Sequence, residues 1–199
     1  MNSSKKNLTL KTRWLIWRAQ FTTPVLLARF DEKKVVSLLT AANAGLAIFT
    51  ISLVAWITDI LVVYPALGPS AFILFSAPLS PAAKPRNVIL GHGICLIVGF
   101  LLWHGIYHVT GETISHHTSN WPLIFSASVT LALSGLLMSW FCCPHPPACA
   151  SGMIVALGIV TEWPTTILMG VAVIWLTYQS VLMNRIAGLP VPLWSKRPA

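Results

Sequence analysis

Six long runs of apolar residues alternate with short polar stretches along the chain. The runs cover residues 35–57, 60–78, 88–109, 122–141, 146–160 and 164–183. A run of about 20 apolar residues forms a helix long enough to cross the hydrocarbon core of a bilayer. The pattern therefore predicts an all-α membrane protein with about six hydrophobic segments.

Proline and glycine interrupt the second and the fifth run. The sequence "YPALGPS" lies inside the second run, and "PHPPACASG" opens the fifth. Each half of the chain thus contains a long segment, a broken segment and a long segment, which predicts 3+3 inverted repeats. Broken segments at matching positions are typical of a transporter binding site. The alternative is two unrelated short segments, because membrane helices tolerate proline.

Composition agrees with a membrane protein. Hydrophobic residues make up 55% of the 199 residues and charged residues only 9%, whereas soluble domains carry about 25% charged residues. The net charge of +8 would suggest a nucleic-acid partner in a soluble protein. In a membrane protein the positions of the charges matter more than their sum, so we expect no nucleic-acid partner.

The basic residues predict the topology. All 13 Lys and Arg lie before residue 35, at Lys84 and Arg86, or after residue 183. Six crossings place them all on one side, with both termini cytoplasmic. A four-span scheme with re-entrant second and fifth segments keeps the same sidedness for the ends. The predicted organisation is a basic extension (1–34), a transmembrane domain (35–184) and a cytoplasmic tail (185–199).

Two long motifs resemble the HPP family of integral membrane proteins. One is "GPSAFILFSAPLSPAAKPRNVILGH" (residues 68–92), and the other is "HPPACASGMIVALG" (residues 145–158), which contains the His-Pro-Pro triplet. The order and spacing of the motifs agree over most of the chain. The sequence departs from the family pattern at Cys149, where members usually have glycine.

The resemblance implies a transport function. Plant members of the family are known as nitrite transporters of the chloroplast envelope, so nitrite is the substrate that the resemblance suggests. The acidic residues Asp31 and Glu32 interrupt the basic N-terminal region, which is unlike a transit peptide. The expected location is a bacterial-type inner membrane, in which the lipid bilayer is the first partner and a homo-oligomer is allowed.

The broken segments predict where a small anion would bind. The start of a helix has N–H groups without helical partners and a positive dipole end, and both attract anions. Prolines suit the first turn of such half-helices. We expect the N–H groups of residues 148–150 to lack partners, with hydroxyls and an imidazole completing the site. The predicted binding residues are Gly68, Pro69, Ser70, His145, Pro146, Pro147, Ala148 and Ser151.

A basic turn precedes the third segment. Lys84, Arg86 and Asn87 are predicted to raise the concentration of anions near the mouth of the site. The alternative is that Lys84 and Arg86 only fix the topology and that Asn87 caps a helix.

Two other classes of function compete with anion transport. Cys142, Cys143, His145 and Cys149 are clustered, and such ligands suit copper or zinc transport. A non-transporting membrane scaffold is the second alternative. No nucleophile–base pair, phosphate loop or H-E-x-x-H motif is present, so we expect neither an enzyme nor a bound metal or cofactor.

Overall fold

The computed structural model describes residues 22–60, 63–110 and 121–194, and the regular secondary structure in this part of the chain is α-helical apart from one 3-10 turn. The helices are α1 Thr23–Arg29, α2 Glu32–Thr58, α3 Leu67–Ser76, α4 Pro85–Thr110, α5 Trp121–Trp140, α6 Ala148–Ala156 and α7 Trp163–Ile186. The 3-10 turn is Pro81–Ala83 and connects α3 to α4.

Four of these helices, α2, α4, α5 and α7, are long and apolar enough to span a membrane. Their outer faces carry exposed large apolar side chains, which lipid tails would cover. Examples are Leu38, Leu101, Leu131 and Leu182. The first, third, fourth and sixth predicted segments are therefore confirmed as helices, with ends shifted by no more than one helical turn.

The second and fifth segments form helices of only half the length of a span. α3 has 10 residues and α6 has 9, so each extends about 15 Å, half the thickness of the hydrocarbon core. Six full crossings are therefore not confirmed, because the described residues contain four candidate spans and two half-length helices. The order of long, short and long helices does occur twice, but the inverted repeat itself stays a prediction.

A Schellman motif ends α5 and begins the connection to α6. Cys142 adopts a left-handed conformation with φ of 48°. The N–H of Cys143 donates to the carbonyl of Met138 over 2.9 Å, and the N–H of Cys142 donates to Ser139 over 3.1 Å. These bonds satisfy carbonyls that the helix end leaves free. The helix thus ends before the prolines of the connection begin.

Small residues let α4 and α6 pack backbone against backbone. Gly91, Cys95 and Gly99 recur at four-residue spacing on the face of α4 that meets α6. A methyl group on Gly152 of α6 would lie 2.6 Å from the carbonyl oxygen of Cys95, and one on Gly99 would overlap the Gly152 carbonyl. Close approach through small residues is a common way to join membrane helices.

The two ends of the described chain meet on one side of the helix bundle. The N–H of Thr23, at the start of α1, donates to the carbonyl of Ala187 after α7 over 2.8 Å. α2 begins at Glu32, inside the predicted extension, and α7 continues to Ile186, inside the predicted tail. The one-sided arrangement agrees with the charge pattern.

Candidate functional site

Four polar side chains form a buried cluster where the two half-length helices begin. Ser70 is the fourth residue of α3 and Ser151 is the fourth residue of α6. His92 lies on α4, and His145 precedes α6. Each of the four is at most 1% exposed. We call Ser70, His92, His145 and Ser151 the His–Ser network.

Hydrogen bonds connect the whole network. Ser70 Oγ lies 3.0 Å from Nε2 of His92 and 3.0 Å from Nε2 of His145. Nδ1 of His92 lies 2.8 Å from Ser151 Oγ, and Nδ1 of His145 lies 2.7 Å from the carbonyl oxygen of Ala82. The two imidazole centroids are 5.2 Å apart. One hydroxyl on α3 therefore joins two histidines, and His92 joins α3 to α6.

The chemistry of these contacts fixes the hydrogen positions in the neutral network. A carbonyl only accepts, so Nδ1 of His145 carries hydrogen and its Nε2 accepts from the Ser70 hydroxyl. Ser70 Oγ then accepts from the Nε2–H of His92, whose Nδ1 accepts from the Ser151 hydroxyl. All four bonds run in one direction, from Ser151 to Ala82.

The structure brings some of the predicted binding residues together and leaves others at the surface. Ser70 and His145 are in direct contact, and Ser151 joins them through His92. Pro147 and Ala148 are buried beside them at the start of α6, whereas Gly68, Pro69 and Pro146 are exposed. Three of the predicted binding residues, Ser70, His145 and Ser151, therefore belong to the His–Ser network.

The prediction that the N–H groups of residues 148–150 lack partners is wrong. The N–H groups of Ala148, Cys149 and Ala150 donate to the carbonyls three residues earlier, over 3.0, 3.2 and 3.2 Å. At the start of α3, Leu67 and Gly68 do the same toward Tyr64 and Pro65. The tight turns before both helices supply these carbonyls. A ligand would therefore meet side chains, with only the helix dipoles acting from the backbone.

His92 is the member of the network that the sequence analysis missed. It ends the first family motif and lies in the third apolar run, for which no functional residue is predicted. The signal was available, because an ionisable side chain within a membrane helix is a functional candidate by default.

The basic turn has a structural role in the described chain. Arg86 donates to the carbonyls of Phe141 and Cys142 over 3.0 and 2.9 Å, at the end of α5. A guanidinium is favourable at the negative end of a helix dipole. Lys84 precedes α4 and is partly exposed.

Asn87 is not a helix cap. It lies inside α4, and its Nδ2 donates to the carbonyl of Pro81 over 2.9 Å. Its Oδ1 accepts from Arg86 over 3.2 Å. Asn87 therefore holds the 3-10 turn, and with it the Ala82 carbonyl, against α4.

The cysteine cluster does not form a ligand set in the described part of the chain. Within residues 22–60, 63–110 and 121–194, no three His, Cys, Asp or Glu side chains are close enough to share a metal ion. Cys142 is exposed and Cys143 is buried, and both ring nitrogens of His145 have protein partners.

Four helices long and apolar enough to span a membrane, with two half-length helices beginning at one buried polar cluster, indicate a multi-pass membrane protein. The chain matches the family model of the HPP transmembrane region over residues 31–192. It belongs to the HPP family, as the two motifs predict.

Two transmembrane proteins of Dictyostelium discoideum are also similar to the chain. They are 29% and 30% identical to it over 98 residues, which is 49% of this chain. The matched region covers 31% and 28% of those proteins, so the chain spans less than a third of their length. No solved structure matches the chain.

Proposed function

We propose that the protein is not an enzyme but a transporter of a small monovalent anion, with nitrite as the first substrate to test. The observation that carries the proposal is the meeting of the first turns of α3 and α6 at the His–Ser network. Ser70 and Ser151 occupy the fourth position of each half-length helix, and both contact His92.

Helix dipoles favour an anion at this position. The positive end of a helix stabilises a nearby negative charge by about 0.3–2 kcal/mol. Two helix starts at one cluster double this modest effect, which suits weak binding and fast release. Because the N–H groups of residues 148–150 are already bonded, selectivity comes from hydroxyl and imidazole donors.

The family adds support for nitrite. The resemblance to the plant members is the reason to test nitrite before other small anions. The relatives from Dictyostelium discoideum add only that similar sequences occur in transmembrane proteins. Nitrite, nitrate, formate and chloride are similar enough in size and charge to be compared in one assay.

Flux into proteoliposomes tests the proposal. Purified protein is reconstituted, each of the four anions is offered in turn, and uptake is compared with protein-free vesicles. We expect uptake of nitrite above the protein-free background, and less uptake of the other anions. Absence of protein-dependent flux for all four anions would remove the transport proposal. Loss of flux on chelation, with bound copper or zinc, would instead favour metal transport, and partner binding without flux would favour a scaffold.

The topology proposal places both termini in the cytoplasm of a bacterial-type inner membrane. The positive-inside rule supports it, because this topology places every Lys and Arg on the cytoplasmic side. Lys84, Arg86 and Arg185 are the examples that lie close to the ends of the long helices. A reporter inserted in residues 111–120 tests it. We expect that reporter on the outer side, and a cytoplasmic signal would contradict the proposed orientation.

A further inference from the structure

The shared hydroxyl of Ser70 has a second acceptor besides His145. Ser70 Oγ lies 3.1 Å from the carbonyl oxygen of Ala66, one helical turn earlier. In the neutral network the Ser70 hydrogen points to Nε2 of His145, since that nitrogen has no hydrogen of its own. The Ala66 carbonyl is therefore available when the Ser70 hydrogen is displaced.

An added proton can be accommodated without moving any heavy atom. If Nε2 of His145 takes up the proton, it becomes a donor and Ser70 Oγ becomes its acceptor. The Ser70 hydroxyl then turns its hydrogen to Ala66, while its second lone pair still accepts from His92. Every polar hydrogen in the network keeps an acceptor in both states.

The same contacts allow a proton to move between the histidines. When His92 carries the extra proton, its Nε2–H can pass a proton to Ser70 Oγ while the Ser70 hydroxyl passes its own proton to Nε2 of His145. One O–H bond breaks and one forms at Ser70, and the positive charge moves from one ring to the other. Two imidazolium rings 5.2 Å apart would repel each other, so the network holds one extra proton.

No carboxylate among the described residues is placed to balance the positive charge of the protonated network. The carboxylates of the described residues lie at the ends of α2 or directly before α7, and none bonds to the network. They are Asp31, Glu32, Asp59 and Glu162.

Among the described residues, the titratable side chains that pack around Ala148, at the start of α6, are thiols. They are Cys95 of α4, Cys149 of α6 and Cys143 of the connection between α5 and α6, which pack together with the thioether of Met138 from α5. Arg86, at the start of α4, donates to backbone carbonyls. Among the described residues, a protonated histidine here therefore has no bonded carboxylate as a counter-ion, and the positive ends of α3 and α6 disfavour it further.

We propose that the His–Ser network binds one proton together with each transported anion, which makes the protein a proton–anion symporter. The inference rests on the proposed transport of a small monovalent anion and adds how the anion is coupled. The anion supplies the negative charge that balances the imidazolium, and the imidazolium supplies the positive charge that attracts the anion. The pair crosses the membrane without net charge.

Simultaneous recording of anion and proton uptake tests the coupling. Proteoliposomes with a pH-sensitive dye inside receive an inward gradient of nitrite at equal pH on both sides, and the leak of nitrous acid through protein-free vesicles is subtracted. We expect one proton to enter with each nitrite, and a potassium diffusion potential of either sign to leave the rate unchanged. Nitrite uptake that follows the potential without acidification would overturn the symport inference while leaving anion transport intact. No protein-dependent flux would instead remove the transport function.

His145→Gln isolates the titratable ring. Glutamine places an amide near the position of Nε2 that can bond to Ser70 but cannot take up a proton. We expect the nitrite flux to fall by about tenfold at pH about 6 and to lose its dependence on pH, while the matched variant His108→Gln, on the exposed face of α4, keeps both flux and pH dependence. Wild-type pH dependence in His145→Gln would overturn the inference.

Nitrogen NMR of labelled histidine gives a readout that needs no flux. In lipid nanodiscs at neutral pH, we expect His92 as the Nε2–H tautomer and His145 as the Nδ1–H tautomer. The same tautomer at both rings would contradict the directed hydrogen-bond chain. This measurement and the stoichiometry both use the wild-type protein, so they decide the matter even if the glutamine variant does not fold.

Discussion

The two half-length helices α3 and α6 look alike in sequence but are held differently. Each follows a proline-containing turn and has serine as its fourth residue, Ser70 or Ser151. Gly152 of α6 packs against the backbone of α4, whereas no atom lies within 4 Å of a methyl group placed on Gly68 of α3. Ser70 contacts both histidines, and Ser151 contacts only His92.

The comparison indicates that α6 is held firmly by its packing against α4, whereas α3 supplies the serine that connects the two histidines. α6 is fixed to α4 by direct backbone contact, which leaves little room for movement between them. The first turn of α3 has an open outer face, and its serine closes the hydrogen-bond chain between the histidines. Matched substitutions in the two helices test whether α3 and α6 differ in this way.

Substitution of Gly152 in α6 and of Gly68 in α3 by alanine gives the largest expected difference in stability between two variants. Gly152→Ala places a methyl group 2.6 Å from the carbonyl of Cys95, and overpacking of this kind costs about 3 kcal/mol. We expect its melting temperature in detergent, measured by fluorescence-detected size exclusion, to fall by roughly 10 °C. Gly68→Ala is the control and should melt like the wild type. Equal effects in the two variants would show that α3 is packed as tightly as α6.

Substitution of Ser70 and of Ser151 by alanine tests how much each helix contributes to transport. Ser70→Ala removes the hydroxyl that both histidines share, and we expect nitrite flux in proteoliposomes to fall by about tenfold or more. Ser151→Ala removes one bond to His92, and we expect a loss of about threefold. Both variants should be compared at equal amounts of folded protein. A larger loss in Ser151→Ala would reverse the assignment of roles.

The distal ends of the two helices are tied by side chains of the long helices. Asn184 of α7 donates to the carbonyl of Leu74 in α3 over 3.0 Å, and Ser126 of α5 donates to Ala156 of α6 over 2.9 Å. We expect Asn184→Leu and Ser126→Ala each to lower the free energy of unfolding by about 1–2 kcal/mol, because a buried carbonyl loses a partner. The free energy of unfolding of each variant is measured by reversible unfolding in mixed micelles. A loss in Asn184→Leu much larger than in Ser126→Ala would mean that the end of α3, unlike that of α6, depends on one bond.

Substitution of Cys142 by glycine gives the smallest expected change in the free energy of unfolding. Its φ of 48° is strained for a side chain with a Cβ and natural for glycine. We expect Cys142→Gly to raise the free energy of unfolding by about 0.5–1 kcal/mol and to leave flux unchanged. Cys143→Gly is the contrasting variant, since Cys143 is buried and its loss leaves a cavity. Stabilisation by both variants would rule out the backbone explanation.

Hydrophobic periodicity and length predicted the four spanning helices correctly, because a bilayer demands continuous apolar helices of a known minimum length. Proline and glycine also marked the two interruptions, since proline removes an N–H from the helix interior. The four-residue spacing of Gly91, Cys95 and Gly99 is also visible in the sequence, and these residues pack against α6 and the connection before it.

The details of the site depended on contacts that sequence spacing does not encode. His92 meets Ser70 through a tertiary contact between α4 and the first turn of α3, and nothing local in either segment shows that register. The bonding of residues 148–150 follows from the tight turn at residues 145–147, whose carbonyls accept from the N–H groups of residues 148–150. Arg86 likewise meets the end of α5, more than fifty residues away in the chain, through tertiary packing.

The hydrogen bond between Thr23 and Ala187 bears on how the protein is made. These residues stand near opposite ends of the chain, so α1 emerges from the ribosome long before the end of α7 that accepts its bond. During synthesis α1 is made before the helices that span the membrane, and it has no Ala187 carbonyl to bond until α7 has been made. The bond can therefore form only after the last long helix has left the ribosome, and a chain truncated before α7 would lack it.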